Sequence, residues 1–290
     1  MLINTLLPQF ASILVGKIKT KKIIKRYKKR FDIDVSYLFN DLNEINILKC
    51  SKTGFRFYYP LSIEGDNDFY ASLYRKNPQM FYQKTKWEFK EASSIIENNT
   101  KVLDVGCGGG NFFEELVGKN CLCYGIDKSD FANELLKGKG VEFSNMPIED
   151  FSLINIEKFD YVTGFQILEH VKFPGKFISS MVRMVKKNGK LILAVPNNNP
   201  YFLKYAKYHT LNLPPHHMGL WNENSLQGIA SHFGLKLIDI KYEGLGYLDL
   251  FLQKKINPKF YFLNKLIMKF LGCFEYILGK RTILVTYAKI

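Results

Sequence analysis

Residues 102–111, which read VLDVGCGGGN, constrain the fold more than any other part of this 290-residue chain. An apolar run ends at Val105, glycines follow, and the apolar residues of 112–116 recur at helical spacing. This order predicts a buried strand, a tight turn and the start of a helix. Glycines in such a turn accept positive φ angles and let a ligand approach the main chain, while open amides at the helix start favour an anionic group.

The composition permits a large core and indicates an anionic partner. The chain is 47% hydrophobic and 15% aromatic, which argues against global disorder, and it carries a net charge of +14. This charge suits a membrane surface, a nucleic acid or an acidic glycan. The five cysteines follow neither a disulfide framework nor a C-x-x-C spacing, so we expect a reducing, cytoplasmic location.

The first 31 residues are predicted to form a basic amphipathic arm. Nine Lys or Arg lie between Lys17 and Arg30, and no acidic residue precedes Asp32. Residues 1–16 are too short and polar for a membrane span and lack the features of a signal peptide. A helix of this kind can lie on an anionic bilayer, but the charge suits a solvated arm without a partner equally well.

The rest of the chain divides into four further regions. Residues 32–98 are predicted to form a cap, with paired strands near 45–50 and 55–59 and an aromatic, basic stretch at 69–87 that covers a pocket. A central α/β domain is expected over 99–243, an amphipathic helical insertion over 244–280 and a final strand of the sheet over 281–290.

Strands and helices alternate after residue 100, which predicts a doubly wound, seven-stranded and mostly parallel sheet. The expected strands lie near 101–105, 121–126, 140–144, 159–164, 190–195, 235–242 and 282–288. The expected helices lie near 110–118, 129–138, 173–187 and 224–233.

Asn111 stands where a G-x-G-x-x-G dinucleotide fingerprint needs a small residue, and no G-x-x-x-x-G-K-[ST] phosphate loop is present. Four further signals follow the glycines in order: YGID at 124–127, NM at 145–146, FDYV followed by QILEHV at 159–171, and NGKLILAVPN at 188–197. Together the five signals resemble those of the class I S-adenosylmethionine-dependent methyltransferases, over residues 87–232.

The resemblance implies a Rossmann-like fold with S-adenosylmethionine as cofactor. In this family the glycine loop holds the amino acid end of the cofactor, an acid after the second strand holds the ribose, and the segment after the third strand holds the adenine. The implied cofactor-binding residues are Asp104, Gly106, Cys107, Gly108, Asp127, Lys128, Asn145, Met146 and Gln166.

Histidines are the candidate catalytic residues, because a hydroxyl acceptor must lose its proton during methyl transfer. His170 follows the fourth strand, and His216 with His217 lies in the segment LPPHHMGLW downstream of the fifth. Each could instead be structural. The histidines with Glu169 could also bind a divalent ion, but adjacent side chains rarely converge on one ion, so no metal is predicted.

The segment TGFRFYYP at 53–60 resembles methyltransferases of surface-polysaccharide or lipid-linked saccharide assembly, which share the Glu-His-Val and Val-Pro-Asn signals with quinone-biosynthesis O-methyltransferases. We therefore expect O-methylation of a saccharide or another small hydroxyl acceptor, free or lipid-linked, with peripheral contact at the inner face of an anionic membrane as an option.

Three alternatives stay open: a quinone or lipid head-group methyltransferase, an RNA-binding or RNA-modifying protein, and a non-catalytic cofactor-binding scaffold. Nucleic acid is disfavoured as a partner, because residues 165–168 lack the Asn/Asp-Pro-Pro-Tyr/Phe signal typical of amino-directed nucleic-acid enzymes. The sequence predicts no oligomeric state.

Overall fold

The computed structural model describes residues 12–77, 85–198, 210–243 and 282–290, which form two β-sheets and the helices around them. The strands are β1 (Ser12–Lys19), β2 (Glu44–Cys50), β3 (Arg56–Tyr59), β4 (Lys101–Val105), β5 (Leu122–Ile126), β6 (Val141–Ser144), β7 (Phe159–Phe165), β8 (Val185–Pro196), β9 (Gly219–Leu220), β10 (Leu235–Tyr242) and β11 (Thr282–Lys289). The α-helices are α1 (Thr20–Phe31), α2 (Asn67–Lys76), α3 (Trp87–Ile95), α4 (Asn111–Glu114), α5 (Asp130–Leu136), α6 (Ile148–Ile154), α7 (Pro174–Met184) and α8 (Glu223–Phe233).

The larger sheet has seven strands in the order β10-β11-β8-β7-β4-β5-β6. Neighbours from β8 to β6 pair in parallel, whereas β11 is antiparallel to both β8 and β10. The predicted seven-stranded, mostly parallel α/β sheet is confirmed. Because the chain winds outward from β4 to β6 and then returns to β7 on the other side of β4, a crevice opens at the carboxyl ends of β4 and β7.

The central strands could be located from sequence because both of their faces are covered. In β8, every residue from Leu191 to Val195 is 0% exposed, and Ile178 and Met181 of α7 pack into the same core. A strand buried on both faces is a continuous apolar run in the sequence rather than an alternating one. The predicted strand positions therefore agree closely with the observed ones, except that β8 begins at Val185, where the preceding helix was expected to continue to residue 187.

The smaller sheet is antiparallel, has the order β1-β2-β3-β9 and forms the cap. The predicted pair of strands near 45–50 and 55–59 is confirmed as β2 and β3. Two-residue β9 comes from the segment after the fifth parallel strand, so it joins the cap to the larger sheet. Its shortness explains why no strand was expected there.

The described part of the predicted arm, residues 12–31, belongs to the cap. β1 pairs with β2, and Ile23, Tyr27 and Phe31 of α1 are at most 5% exposed in a core shared with the cap. A solvated arm is therefore the wrong interpretation of these residues. The apolar side chains at positions 23, 27 and 31 recur every four residues and lie on one helical face, which the cap buries.

Three helices differ from the sequence predictions. The helix expected over 110–118 is the single turn α4, because the amides of Glu115, Leu116 and Lys119 donate to carbonyls three residues earlier, as in successive tight turns. Helices α2 and α6 were not predicted: α2 lies in the stretch that was interpreted only as aromatic and basic, and α6 is a short helix between two predicted strands.

The predicted insertion at 244–280 lies outside the described residues, whereas the predicted final strand is confirmed as β11. Within the described ranges, no helix combines the length and apolarity needed to cross a bilayer.

Candidate active site

The loop between β4 and α4 turns at three glycines with positive φ angles. Gly106, Gly108 and Gly110 have φ of +77°, +49° and +74°. A Cβ on Gly106 or Gly110 would clash with the side chain of Ile167 or Leu136, whereas a Cβ on Gly108 would meet no atom within 4 Å. Packing therefore requires the outer two glycines, and Gly108 opens the main chain to the large cavity that lies over the crevice.

Cys107, between these glycines, also lines the cavity. A Cβ built on Gly125 of β5 would lie 2.7 Å from the Cys107 Sγ, so the thiol packs against the sheet. Burial raises the pKa of Cys107 above its ordinary value, which keeps the thiol neutral.

Asp104, in β4, carries a buried carboxyl group at the base of the cavity. It is 3% exposed, and its Oδ1 accepts a 2.7 Å hydrogen bond from the Thr163 hydroxyl of β7. Burial raises the pKa of Asp104 to about 7, the Thr163 hydrogen bond opposes this rise, and the charge of Asp127 adds to it. A cationic group bound in the cavity would stabilise the ionised carboxylate.

Asp127 follows β5 and supports the glycine loop. Its Oδ2 accepts the Gly108 amide at 2.9 Å, and its Oδ1 accepts the Ser129 amide at 2.9 Å. Each oxygen keeps further acceptor capacity, because an ionised carboxylate has about four lone-pair sites. Lys128 is exposed and lines the same cavity.

Met146 and Asn145, which follow β6 and were predicted to hold an adenine, differ in whether they line the cavity. Met146 lines the cavity and is 36% exposed, while its amide donates to the Ser144 hydroxyl at 3.2 Å. Asn145 is exposed and stands outside the residues that line the cavity.

Gln166, after β7, lines the cavity in a left-handed conformation with φ of +53°. Its amide donates to the Ala194 carbonyl at 2.8 Å, and its side-chain Nε2 donates to Glu88 Oε1 at 3.3 Å. Glu88 lies in the first turn of α3 and is 4% exposed. Burial therefore raises the pKa of its carboxyl group. Gln166 thus connects the cavity wall to α3.

All three predicted catalytic histidines lie together on the wall of this cavity. The ring centroid of His170 lies 4.5 Å from that of His216 and 4.8 Å from that of His217. The rings of His216 and His217 are stacked, with their centroids 4.7 Å apart. The carbonyl of Glu169 accepts the Met218 and Gly219 amides at 2.7 and 2.9 Å. These two bonds hold the segment after His217 against the segment that carries His170.

The cap contributes cavity residues that the sequence analysis did not single out. The Tyr70 hydroxyl lies 3.5 Å from His170 Nδ1 and 3.3 Å from the His216 carbonyl, and Tyr74, Arg75 and Arg30 also line the cavity. The prediction that residues 69–87 cover a pocket is confirmed for α2. Individual residues could not be assigned, because which side of α2 faces the cavity depends on how the cap docks.

Three comparisons place the chain among known proteins. Residues 78–240 match the family model described as a methyltransferase domain. The ubiquinone biosynthesis O-methyltransferase of Pseudomonas syringae pv. tomato is 36% identical over 124 residues, which cover 40% of this chain and 53% of that protein. The Pseudomonas putida protein of the same name is 32% identical over 178 residues, or 54% of this chain and 72% of that protein.

Among solved structures, a SAM-dependent methyltransferase from Archaeoglobus fulgidus aligns with a TM-score of 0.55 at 18% identity, covering 77% of this chain and all of that one. This likeness supports the fold. The chain spans about half the length of the first curated relatives it matches, from 45% to 53%.

Proposed function

Because this chain belongs to the methyltransferase domain family, we propose that it transfers a methyl group from S-adenosylmethionine to a hydroxyl oxygen of its acceptor. The observation that carries the choice of a hydroxyl is the histidine cluster, which opens onto the same cavity as the glycine loop. A hydroxyl must lose its proton as it is methylated, and imidazole groups are suited to assist that loss. Carbon and nitrogen acceptors depend less on such assistance.

The glycine loop fits the amino acid end of S-adenosylmethionine. Gly108 presents its main chain to open space, and the buried Asp104 carboxylate suits the ammonium group. Asp127 has acceptor capacity left for the ribose hydroxyls. When bound, the cofactor supplies an electrophilic methyl group on its sulfonium. The remaining task of the chain is to hold the acceptor oxygen in line with that methyl group.

The acceptor we propose is a phenolic hydroxyl of a quinone-type precursor. The names of the curated relatives support this choice, and they lend no support to the saccharide acceptor expected from sequence. The cavity wall also carries aromatic side chains that can pack on a planar ring: Tyr70, Tyr74, Phe173 and Phe177.

A saccharide on a phosphate-bearing carrier is the second candidate. Arg30, Arg75 and Lys172 line the cavity and would attract an anionic acceptor. Both candidates are compatible with an acceptor that is carried on a lipid.

Helix α1 carries a basic face that would bind the protein to a membrane containing a lipid-carried acceptor. We define this basic face as Lys22, Lys25, Arg26, Lys29 and Arg30, which line one shallow concavity. Beside α1 in the chain, Ile13, Leu14 and Val15 of the edge strand β1 are 45–55% exposed. Basic and aliphatic side chains together suit an anionic lipid surface. Arg30 also lines the main cavity, so the basic face adjoins it.

A labelled methyl-transfer screen tests the proposal. The full chain is incubated with S-adenosylmethionine labelled in its methyl group and with catechol-type quinone precursors, lipid-linked sugars, nucleotide sugars or RNA. We expect an O-methylated phenol, identified by mass spectrometry and NMR. Transfer confined to saccharides would select the second candidate, and transfer confined to nitrogen or carbon would contradict the proposal.

A further inference from the structure

One ring nitrogen each of His170, His216 and His217 lies within 4.8 Å of the other two. Two nitrogens bound to one tetrahedral zinc ion lie about 3.4 Å apart, given Zn–N bonds of about 2.05 Å. The cluster must therefore contract by at most about 1.4 Å to hold one ion. Small rotations of the three side chains can supply this contraction.

The hydrogen bonds of the three rings point to the same tautomer. His170 Nδ1 faces the His216 carbonyl at 2.7 Å, and His216 Nδ1 faces the Leu211 carbonyl at 3.2 Å. His217 Nδ1 faces the Asn212 Oδ1 at 3.1 Å. Because these oxygens only accept, each Nδ1 donates, and each neutral ring then carries its lone pair on Nε2. Metal-binding histidines are oriented in this way, with one ring nitrogen donating to an oxygen.

A buried carboxyl group stands next to the cluster. Glu169 is 1% exposed, its Oε1 lies 3.9 Å from His170 Nε2, and its Oε2 has no hydrogen-bond partner among the described residues. A buried carboxyl oxygen without a partner is costly, and coordination to a cation would remove that cost. Glu169 also lines the cavity, so an ion could reach it.

We infer that His170, His216 and His217 bind one divalent transition-metal ion beside the buried carboxyl group of Glu169. Three imidazole ligands favour zinc or a similar ion over magnesium or calcium, which prefer oxygen ligands. The expectation that adjacent histidines point apart does not hold here, since the rings of His216 and His217 are stacked with only 20° between their planes.

The imidazole donors determine which class of metal ion binds. Metal binding does not depend on which acceptor the protein methylates. A role for the ion in transfer rests on the proposed function. With their lone pairs on the ion, the three histidines would not act as bases themselves; the ion beside the glycine loop would instead bind the acceptor oxygen and ease the loss of its proton.

Metal titration of the full chain tests the inference. The protein is treated with EDTA, desalted, and titrated with Zn²⁺ by calorimetry and with Co²⁺ by visible absorption. Mg²⁺ is titrated separately. We expect one equivalent of Zn²⁺ per chain, ligand-field bands with Co²⁺ and much weaker binding of Mg²⁺. His217→Ala is expected to abolish stoichiometric Zn²⁺ binding, whereas the matched control His232→Ala, in α8, retains it.

A second pair of variants, at Asn212, leaves the three histidines in place and so tests the site without removing a ligand. Asn212→Leu removes the oxygen that orients His217, and we expect about 10-fold weaker Zn²⁺ binding. Asn212→Asp keeps an acceptor there and is expected to retain the affinity. Circular dichroism checks that each variant is folded.

Two results would overturn the inference: a wild-type chain that binds no stoichiometric Zn²⁺ or Co²⁺, or binding that survives unchanged in His170→Ala and His217→Ala. The proposed function fails separately. If Zn²⁺ binds but no hydroxyl is methylated, the metal site stands and the proposed function falls. If hydroxyls are methylated at the same rate after EDTA treatment and no Zn²⁺ binds, the reverse holds.

Discussion

Asp104 shows at the scale of one residue how the fold sets the chemistry of the site. Between β5 and β7, burial raises the pKa of Asp104 to about 7, although the hydrogen bond from the Thr163 hydroxyl favours the ionised form. Burying a carboxylate costs stability, and a bound ammonium group would recover part of that cost. The residue that suits the cofactor is therefore one that destabilises the free protein at neutral pH.

The raised pKa of Asp104 predicts that the stability of the cofactor-free protein depends on pH. Between about pH 4 and pH 7 the folded protein keeps a proton on Asp104 that the unfolded chain has released. The free energy of unfolding should therefore fall as the pH rises through this window, by at most about 1.4 kcal/mol per pH unit from this group.

Urea unfolding of wild type and Asp104→Asn at pH 4.5, 5.5 and 6.5 measures the effect. Burial also raises the pKa of Glu169, to about 8, so the difference between the two proteins isolates Asp104. The free energy of unfolding should fall less steeply with pH in the variant than in wild type. Bound S-adenosylmethionine should also reduce the pH dependence of wild type. Equal slopes in the two proteins would contradict the prediction.

Gly108 supports a second prediction at this scale. Ala at Gly108 places a methyl group in the open cavity, so we expect Gly108→Ala to weaken S-adenosylmethionine binding at least about 10-fold, or about 1.4 kcal/mol. Gly118→Ala is the matched control, because Gly118 also has positive φ (+86°) and open space around its Cβ but lies outside the cavity lining.

Calorimetric affinity and melting temperature separate the two effects. Both substitutions should cost a similar 1–2 kcal/mol of stability, roughly the penalty for a side chain in the left-handed region. Cofactor affinity that falls equally in both variants would show that strain, not access to the cavity, is responsible.

At the scale of elements, the cap holds the histidine segment in position. The Tyr27 hydroxyl of α1 donates to the Leu213 carbonyl at 2.8 Å, and the Tyr58 hydroxyl of β3 donates to the Asn212 carbonyl at 2.9 Å. Pairing of β3 with β9 fixes the other end of the segment. A helix that first suggested a separate arm therefore supports residues in the candidate active site.

Tyr27→Phe tests this support. Removing the hydroxyl leaves a buried carbonyl without its donor, so the free energy of unfolding should fall by about 1–3 kcal/mol, and the rate of methyl transfer should fall more than the cofactor affinity. Tyr37→Phe is the control, since the Tyr37 hydroxyl donates to Asp66 in an exposed position. A change of more than about 0.5 kcal/mol in the control, or none at Tyr27, would contradict the assignment.

At the scale of the whole molecule, the basic face lies next to the main cavity, because Arg30 lines both. Each basic residue near an anionic bilayer contributes about 1 kcal/mol. The triple variant Lys22→Glu, Lys25→Glu, Lys29→Glu should therefore bind anionic vesicles roughly 100-fold more weakly than wild type. Deleting residues 1–30 would be a poorer test, because it removes Ile23 and Tyr27 from the core.

Sedimentation with vesicles of anionic or neutral phospholipid measures this binding. The control is a second triple variant, Lys137→Glu, Lys187→Glu, Lys236→Glu. It changes the net charge by the same amount, at exposed lysines in and around the larger sheet. We expect it to bind nearly as wild type does, and binding should weaken as salt rises. Equal losses in both variants would indicate a response to net charge alone.

The sequence by itself determined the larger sheet and the glycine loop. Strands such as β4, β7 and β8 are continuous apolar runs because both of their faces are buried, and the positive φ angles of the loop require glycine. These are local requirements, so they are visible in consecutive residues. The order of the motifs was enough to indicate a methyltransferase.

Only the tertiary structure decided which side chains come together in the candidate active site. His170 and His216 are 46 residues apart in sequence and 4.5 Å apart between ring centroids, because Glu169 accepts the amides of Met218 and Gly219. β9 and the buried face of α1 likewise depend on partners far away in the chain. The apolar residues of α1 do recur at helical spacing, but the spacing does not say which surface buries them, since each partner is specified by packing rather than by its neighbours in sequence.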